Sequence, residues 1–276
     1  MRTTAIRTKL AALSKATLSI WALMAVAVLT AALGMASDRI GAEDVQSATA
    51  APSASVGAPP TVSHRPSALF LGDSYTLGPA YLSDYGYACT VATNMGWDCN
   101  LAAESSTGYI AGGAGSRLAY VAGLSNGRSS SVAERIPRSR ELDDADIVVL
   151  DAGRSDLAFG REDLGNVFIY TVRRAREAWP NARLVVISPW FVRQPVLEFP
   201  GYPGETVGEY LEGKLREVPE LDSVTFIDPA RLGWFVGMNT DPYMTSDGVH
   251  PNEMGHKLIS QYLTTELMRL GFASPA

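Results

Sequence analysis

Three observations predict an α/β fold of three layers, with helices covering both faces of a mainly parallel sheet. Short apolar runs rich in β-branched residues recur along the chain: "ALFLGD" at 68–73, "DIVVLDAG" at 146–153, "ARLVVISPW" at 182–190 and "SVTFIDP" at 223–229. Runs of this continuity suit strands buried on both faces, as parallel strands are. Helical spacing appears between and after them. Leu164, Phe168, Val172, Ala175 and Trp179 recur every three or four residues until Pro180 stops the pattern, and Ile259, Tyr262, Leu263, Leu267 and Leu270 do the same before Gly271 closes it. The third observation is placement: "LGDS", "DAGRSD" and the segment after "TFIDP" fall at carboxyl ends of predicted strands, where open α/β sheets carry their sites.

Taken in order, residues 1–37 read as a signal peptide or a signal-anchor helix. Ala16 to Ser37 holds 22 residues without a charge, enough as a helix to cross a hydrocarbon layer of roughly 30 Å. Arg2, Arg7, Lys9 and Lys15 precede it and Asp38 follows, which orients the segment from inside to outside. Gly34 and Ala36 also suit cleavage after Ala36, so both readings stay open. Either one puts the rest of the chain outside the cytoplasm. Residues 38–66 form a linker, and 45–66 of it is an Ala, Ser, Pro and Thr tract with no apolar period. The remaining segment, 67–272, is the expected catalytic domain, since a chain of 276 residues with 46% hydrophobic composition buries one good core.

The net charge of −6 combines four cations ahead of the apolar segment with about −10 over the remainder. An acidic body argues against nucleic acid as a partner, because phosphates require basic surface. Cys89 and Cys99 are the two cysteines. Outside the cytoplasm a lone pair at that spacing predicts a disulfide, worth roughly 2 to 3 kcal/mol on the loop-entropy model. There is no CxxC pair, and His250 and His256 fall on different helix faces, so no metal site is expected.

Two segments carry the residues suited to chemistry. In "TSDGVHPNEMGH", Asp247 precedes His250 by three residues, so one tight loop presents a carboxylate to Nδ1 and leaves Nε2 facing outward. Pro251 suits the first turn of the closing helix. In "LGDSYTLG", Ser74 stands where a strand meets a loop, and a serine becomes a nucleophile when a base takes its proton.

Together these segments resemble the SGNH or GDSL hydrolases over about residues 67–272, with "LGDSYTLG" as the nucleophile block and "SDGVHPNEMGH" as the acid and base block. The resemblance implies a flavodoxin-like, five-stranded sheet and a serine esterase that needs neither metal nor organic cofactor. It makes Ser74 the nucleophile, His250 the general base and then acid, and Asp247 its orienting partner. It also assigns the oxyanion hole to the backbone amide of Ser74, to Gly108 of "ESSTGYI", and to a third block usually written G-x-N-D. That block is "GRSD" here, so Ser155 stands where the family has Asn. Losing one oxyanion donor costs about 3 kcal/mol, although a serine hydroxyl can donate directly or through water.

The expected substrate is an acetyl or short acyl ester, by analogy one on an envelope glycan or lipid, with membrane contact through the N-terminal helix if that helix is retained. An acyltransferase on the same three residues, and a weakly catalytic binding domain motivated by Ser155, are the alternatives. Ser125 in "GLSNG" matches a nucleophile elbow, but "AYVA" before it is a weak strand and "RSSSVAER" after it a poor helix start. Asp73 and Asp156 are a nominal glycosidase pair, for which the resemblance suggests structural hydrogen bonding at Asp73 instead. The Gly-rich "GYIAGGAG" at 108–115 lacks the Lys-Ser/Thr of a phosphate loop and reads as a plain loop.

Overall fold

The computed structural model describes residues 65–79, 86–112 and 130–272. The apolar N-terminal segment, the linker up to residue 64, Ser125 and the end of the Gly-rich stretch lie outside the described residues. Among the described residues, no helix is long and apolar enough to cross a membrane.

Five parallel strands form one sheet: β1 (Ser67–Gly72), β2 (Asp98–Ala103), β3 (Ile147–Asp151), β4 (Arg183–Ile187) and β5 (Thr225–Ile227), in the order β2-β1-β3-β4-β5. This is the flavodoxin-like order, in which the chain reverses its direction of winding between β1 and β3. The helices are the short α1 (Ser74–Leu77), then α2 (Tyr87–Met95), α3 (Val132–Leu142), α4 (Arg161–Ala178), α5 (Val207–Arg216) and α6 (Glu253–Arg269).

Strand residues alternate between two cores, because successive side chains point to opposite faces. Leu69, Leu71, Val148, Leu150, Leu184 and Val186 pack with Val132 and Ile136 of α3, Leu164, Phe168 and Val172 of α4, and Leu211 and Leu215 of α5. Ala68, Phe70, Val149, Val185 and Ile187 pack on the other face with Val91 of α2 and Ile259, Leu263 and Leu267 of α6. Both faces are therefore apolar, which is why the central strands read as unbroken hydrophobic runs.

β2 is the strand that its own pattern does not announce. "DCNLAA" has no β-branched residue, and its residues from Cys99 onward are only half-buried because it lies at the sheet edge. Its position is fixed from outside the strand: Arg65 donates to the carbonyls of Gly96 and Trp97, and Cys89 of α2 is joined to Cys99 of β2 by the expected disulfide, with a Cα–Cα distance of 5.3 Å. The closing helix also differs from expectation at its start. Pro251 lies before it, paired with Met244 in an antiparallel bridge, and Asn252 is the N-cap, its Oδ1 accepting from the Gly255 amide at 3.0 Å. Pairing with Met244 holds Pro251 extended, so the loop carrying His250 is braced by a bridge as well as by the helix.

Candidate active site

At the end of β1 the chain turns directly into α1, and Gly72 is what allows it. A Cβ there would lie 2.0 Å from Thr76 Oγ1 and 2.6 Å from the Asp151 carbonyl, so any side chain would push α1 off the sheet. Asp73 is the N-cap, with Oδ1 accepting from the Tyr75 amide at 2.9 Å. Such a cap is worth about 1 kcal/mol. It fixes Ser74 as the first helical residue at the mouth of the sheet.

Ser74 Oγ lies 2.9 Å from His250 Nε2. His250 Nδ1 lies 2.6 Å from Asp247 Oδ2, and Asp247 Oδ1 accepts from the amides of Val249 and His250 at 2.8 and 3.0 Å and from the Thr245 hydroxyl at 2.5 Å. With a proton on Nδ1 donated to Asp247, Nε2 is left with a lone pair to accept the Ser74 hydroxyl proton. The bond from His250, with those from Thr245 and the two amides, holds the Asp247 carboxyl far below the usual carboxylate range. Asp247 is therefore an anion throughout the working pH range, and the imidazole is fixed in one tautomer. Chain segments 176 residues apart meet here, brought together because both follow carboxyl ends of the sheet.

His256 belongs to a different environment. It is 2% exposed, its ring stacks on Tyr87 with centroids 6.1 Å apart, and its Nδ1 accepts from the Tyr87 amide at 3.3 Å. Burial, with a smaller contribution from His250, lowers its pKa to about 4. It is a neutral core histidine. Among the described residues, no group of three or more His, Cys, Asp or Glu is placed to hold a metal ion.

Beneath Ser74 lies a buried ionic cluster. Arg154, which follows β3, donates from Nη1 to both oxygens of Asp73 at 3.1 and 3.0 Å, from Nη2 to Asp151 Oδ1 at 2.8 Å, and from Nε to the Trp190 carbonyl at 2.9 Å. Asp151 also accepts from Thr76 and Tyr87. Burial lifts the Asp73 carboxyl to about 6, against the pull of Arg154 and with a further push from Asp151. For Arg154 burial opposes the charge, but Asp151 and Asp73 outweigh it and its pKa lies above the ordinary value. The nominal glycosidase pair is accounted for by bonds of this kind: Asp73 faces Arg154, and Asp156 accepts from the amides of Tyr109, Ile110 and Ala111 at 2.6, 3.1 and 2.7 Å.

Residues 70–258 match the model of the GDSL-like lipase/acylhydrolase family. The chain belongs to that family. As a member it is an ester hydrolase of SGNH type. No curated protein matches its sequence. Among solved structures, it is similar to a family two carbohydrate esterase from Clostridium thermocellum. The active-site mutant of that esterase is 18% identical, with a TM-score of 0.53 over 75% of this chain and 64% of that one. The esterase in complex with cellohexaose is also 18% identical, with a TM-score of 0.53 over 79% and 67%. A salicylyl-acyltransferase from a tetracycline biosynthetic pathway is 22% identical, with a TM-score of 0.53 over 76% of this chain and 56% of that one. The chain thus spans about two thirds of the esterase's length, and at these identities the likeness is one of fold.

The segment to which the resemblance assigns the oxyanion hole departs from that assignment at Gly108. Its amide donates to the Ala111 carbonyl at 3.0 Å, so it is committed within the turn. The cause is Asp156, which draws the three following amides onto its carboxylate. Gly108 must be glycine for the same reason, since a Cβ would lie 2.3 Å from Asp156 Oδ2. Among the described residues, the amides of Ser105, Ser106 and Thr107 have no hydrogen-bond partner, and Ser106 holds a φ of 60° that non-glycine residues seldom adopt. The segment is next to Ser74 by register, as Gly72 pairs with Ala103 and the Glu104 amide donates to the Gly72 carbonyl at 3.2 Å. Ser155 stands on the 3-10 turn Arg154–Asp156 after β3, half-buried, and its hydroxyl makes no hydrogen bond among the described residues.

Two residues of this region were not assigned a role from sequence. Arg154 was legible only as the variable position of the third block, and Tyr75 only as the residue after the serine. Charge balance finds the first only once β1 and β3 are known to be neighbours: Asp73 and Asp151 then stand side by side, and buried carboxylates so placed require a cation.

Proposed function

We propose that the protein is an extracytoplasmic serine esterase that removes acetyl or other short acyl groups from esters of cell-envelope glycans or lipids, through an acyl-enzyme on Ser74. The observation that carries the proposal is the unbroken hydrogen-bonded line from Ser74 Oγ to His250 and on to Asp247, at 2.9 and 2.6 Å. In this reading Ser74 Oγ attacks the ester carbonyl while His250 Nε2 takes its proton. The tetrahedral oxyanion faces the Ser74 amide and the loop amides of residues 105–107, with the Ser155 hydroxyl beside them. His250 then returns the proton to the departing alcohol, leaving the acyl group on Ser74. Water enters, gives a proton to His250 and attacks the acyl carbon; the acid leaves and Ser74 regains its proton. Asp247 stays ionised and stabilises the imidazolium in both halves.

The outer location is supported by the uncharged stretch from Ala16 to Ser37 with basic residues before it, and by a disulfide, which persists in oxidising compartments. The glycan reading is supported by similarity in fold to a carbohydrate esterase. Hydrolysis of p-nitrophenyl acetate and butyrate by the full-length chain, beside its Ser74→Ala variant, tests the chemistry. Parent turnover that falls by about 10³-fold or more in the variant is expected. Equal rates in the two would sink the assignment of Ser74, and transfer to an added sugar alcohol in preference to water would turn the reading toward an acyltransferase.

A further inference from the structure

The Ser74–His250 hydrogen bond joins two chain segments 176 residues apart. A second bond lies beside it, one residue after Ser74 and one residue before His250: the Tyr75 hydroxyl donates to the carbonyl of Val249 at 2.8 Å. Tyr75 is bonded covalently to Ser74 and Val249 to His250, so the two hydrogen bonds form adjacent rungs. Tyr75 itself is immobilised. It is 1% exposed, its ring meets Trp190 and Phe191 edge-on at 5.7 and 5.9 Å, and the Val192 amide donates to its hydroxyl at 3.4 Å. The Arg154 guanidinium lies over its ring, 4.3 Å from the centroid, while the same guanidinium grips Asp73, the cap residue on the other side of Ser74. Arg154 thus holds the residues before and after Ser74 at once.

We propose that Tyr75, clamped by Arg154, is a positioning residue that sets the distance between Ser74 Oγ and His250 Nε2. The inference rests on Ser74 and His250 acting as nucleophile and base. A tyrosine filling core space would need only its ring, whereas this one spends its hydroxyl on the backbone that carries the base. Removal of that hydroxyl leaves the ring, the packing and the Arg154 contact in place and lets the His250 loop drift by a fraction of an ångström. Displacements of about 1 Å at reacting atoms cost up to about a hundredfold in rate.

The test is the full-length Tyr75→Phe variant with p-nitrophenyl acetate. kcat is expected to fall about ten- to hundredfold with KM within about twofold. The decisive readout is the same substitution made in a His250→Ala background. With no base left to position, Tyr75→Phe should lower the residual rate no further. A general loosening of the fold would lower it in both backgrounds. Arg154→Lys, which keeps the charge but lacks the fork, should lower kcat in the same sense; if it fails to fold, Tyr75→Phe carries the test by itself. Parent-like kcat in Tyr75→Phe, or the same fold loss with and without His250, overturns the inference while leaving Ser74 in place. If Ser74→Ala keeps the parent's rate, the functional reading fails and the inference fails with it.

Discussion

Ser74 stands on supports that are buried, with Asp73 1% and Arg154 6% exposed, whereas the His250 and Asp247 side chains are 42% and 49% exposed. The Ser74 turn is over-determined by a glycine that admits close packing, a capping carboxylate and a buried ion cluster. His250 is held mainly by its own loop, in which Asp247 bonds to the ring and two amides of the segment it belongs to. Burial strengthens electrostatic interactions and makes them costly to break, while exposure leaves them cheap and easily screened. The same Ser-His contact is therefore anchored to global stability at one end and to local geometry at the other.

Substitution on the buried side should show the largest effect. Arg154→Met fills similar volume but leaves Asp73 and Asp151 together without their cation, and breaking a buried pair in this way costs about 3 to 5 kcal/mol. Chemical denaturation at pH 8 is expected to report a loss of that size. The loss should shrink on acidification, because Asp73, whose carboxyl is already lifted to about 6, no longer needs the cation once it is protonated. A loss that stays the same from pH 8 to pH 5 would mean the cluster is not what holds the turn. On the exposed side the reverse split is expected. His250→Ala should lower kcat by about 10³-fold, within the range for general acid-base residues, and change the melting temperature by no more than about 2 °C, as surface substitutions do. A matching loss of stability would erase the distinction between the two sides.

Much of this arrangement was readable from residue letters. β1, β3, β4 and β5 stand out because strands buried on both faces are continuously apolar, and the helices α4 and α6 because their buried residues keep helical spacing. β2 did not, since an edge strand half open to solvent needs no such pattern and is held by a disulfide and by Arg65 instead. The pairing of Asp247 with His250 is local in sequence and could be read from a three-residue spacing. The Arg154 cluster is assembled from three strand ends and is invisible until strand order is known. Gly108 shows the opposite difficulty: a glycine explained by one requirement, an amide open to the oxyanion, turns out to be required by another, the close approach of Asp156.

The two histidines extend the comparison to pH. His256 is buried and stays neutral down to about 4, whereas the unfolded chain takes up that proton near the ordinary histidine value of 6.5. Its contribution to stability is fully present above pH 6.5 and is lost as pH falls toward 4, a change of up to about 3 kcal/mol. Asp73 acts in the opposite sense, since a carboxyl lifted from 3.8 to about 6 favours the folded state at low pH and less so as pH rises through 6. The parent should accordingly be nearly level between pH 6 and pH 4. His256→Gln removes one of the two slopes, so the stability gap between parent and variant is expected to be widest above pH 6.5 and to narrow toward pH 4. A gap that does not vary with pH would show that His256 takes up its proton in the fold as readily as in the unfolded chain.

The smallest expected effect is at Ser155, on the turn after β3. Its hydroxyl has no hydrogen-bond partner among the described residues, so it is free to turn toward charge that develops only during the reaction. A hydroxyl on Cβ is shorter than the carboxamide that the family places there, and a donor that falls short of an oxyanion contributes less than one at 2.7 to 3.1 Å. Ser155→Asn lengthens the reach without altering charge. If the Ser74 amide and the amides of residues 105–107 leave part of the oxyanion unsatisfied, the variant should raise kcat for p-nitrophenyl acetate by about tenfold, the share of one partly missing donor, with KM unchanged. Ser155→Ala should lower it by a similar factor if the hydroxyl already donates. An Asn variant no faster than the parent, together with an Ala variant no slower, would mean that the loop amides complete the hole and that position 155 is released from it. The first outcome makes this site a slow version of its family's chemistry, and the second makes it a differently built one.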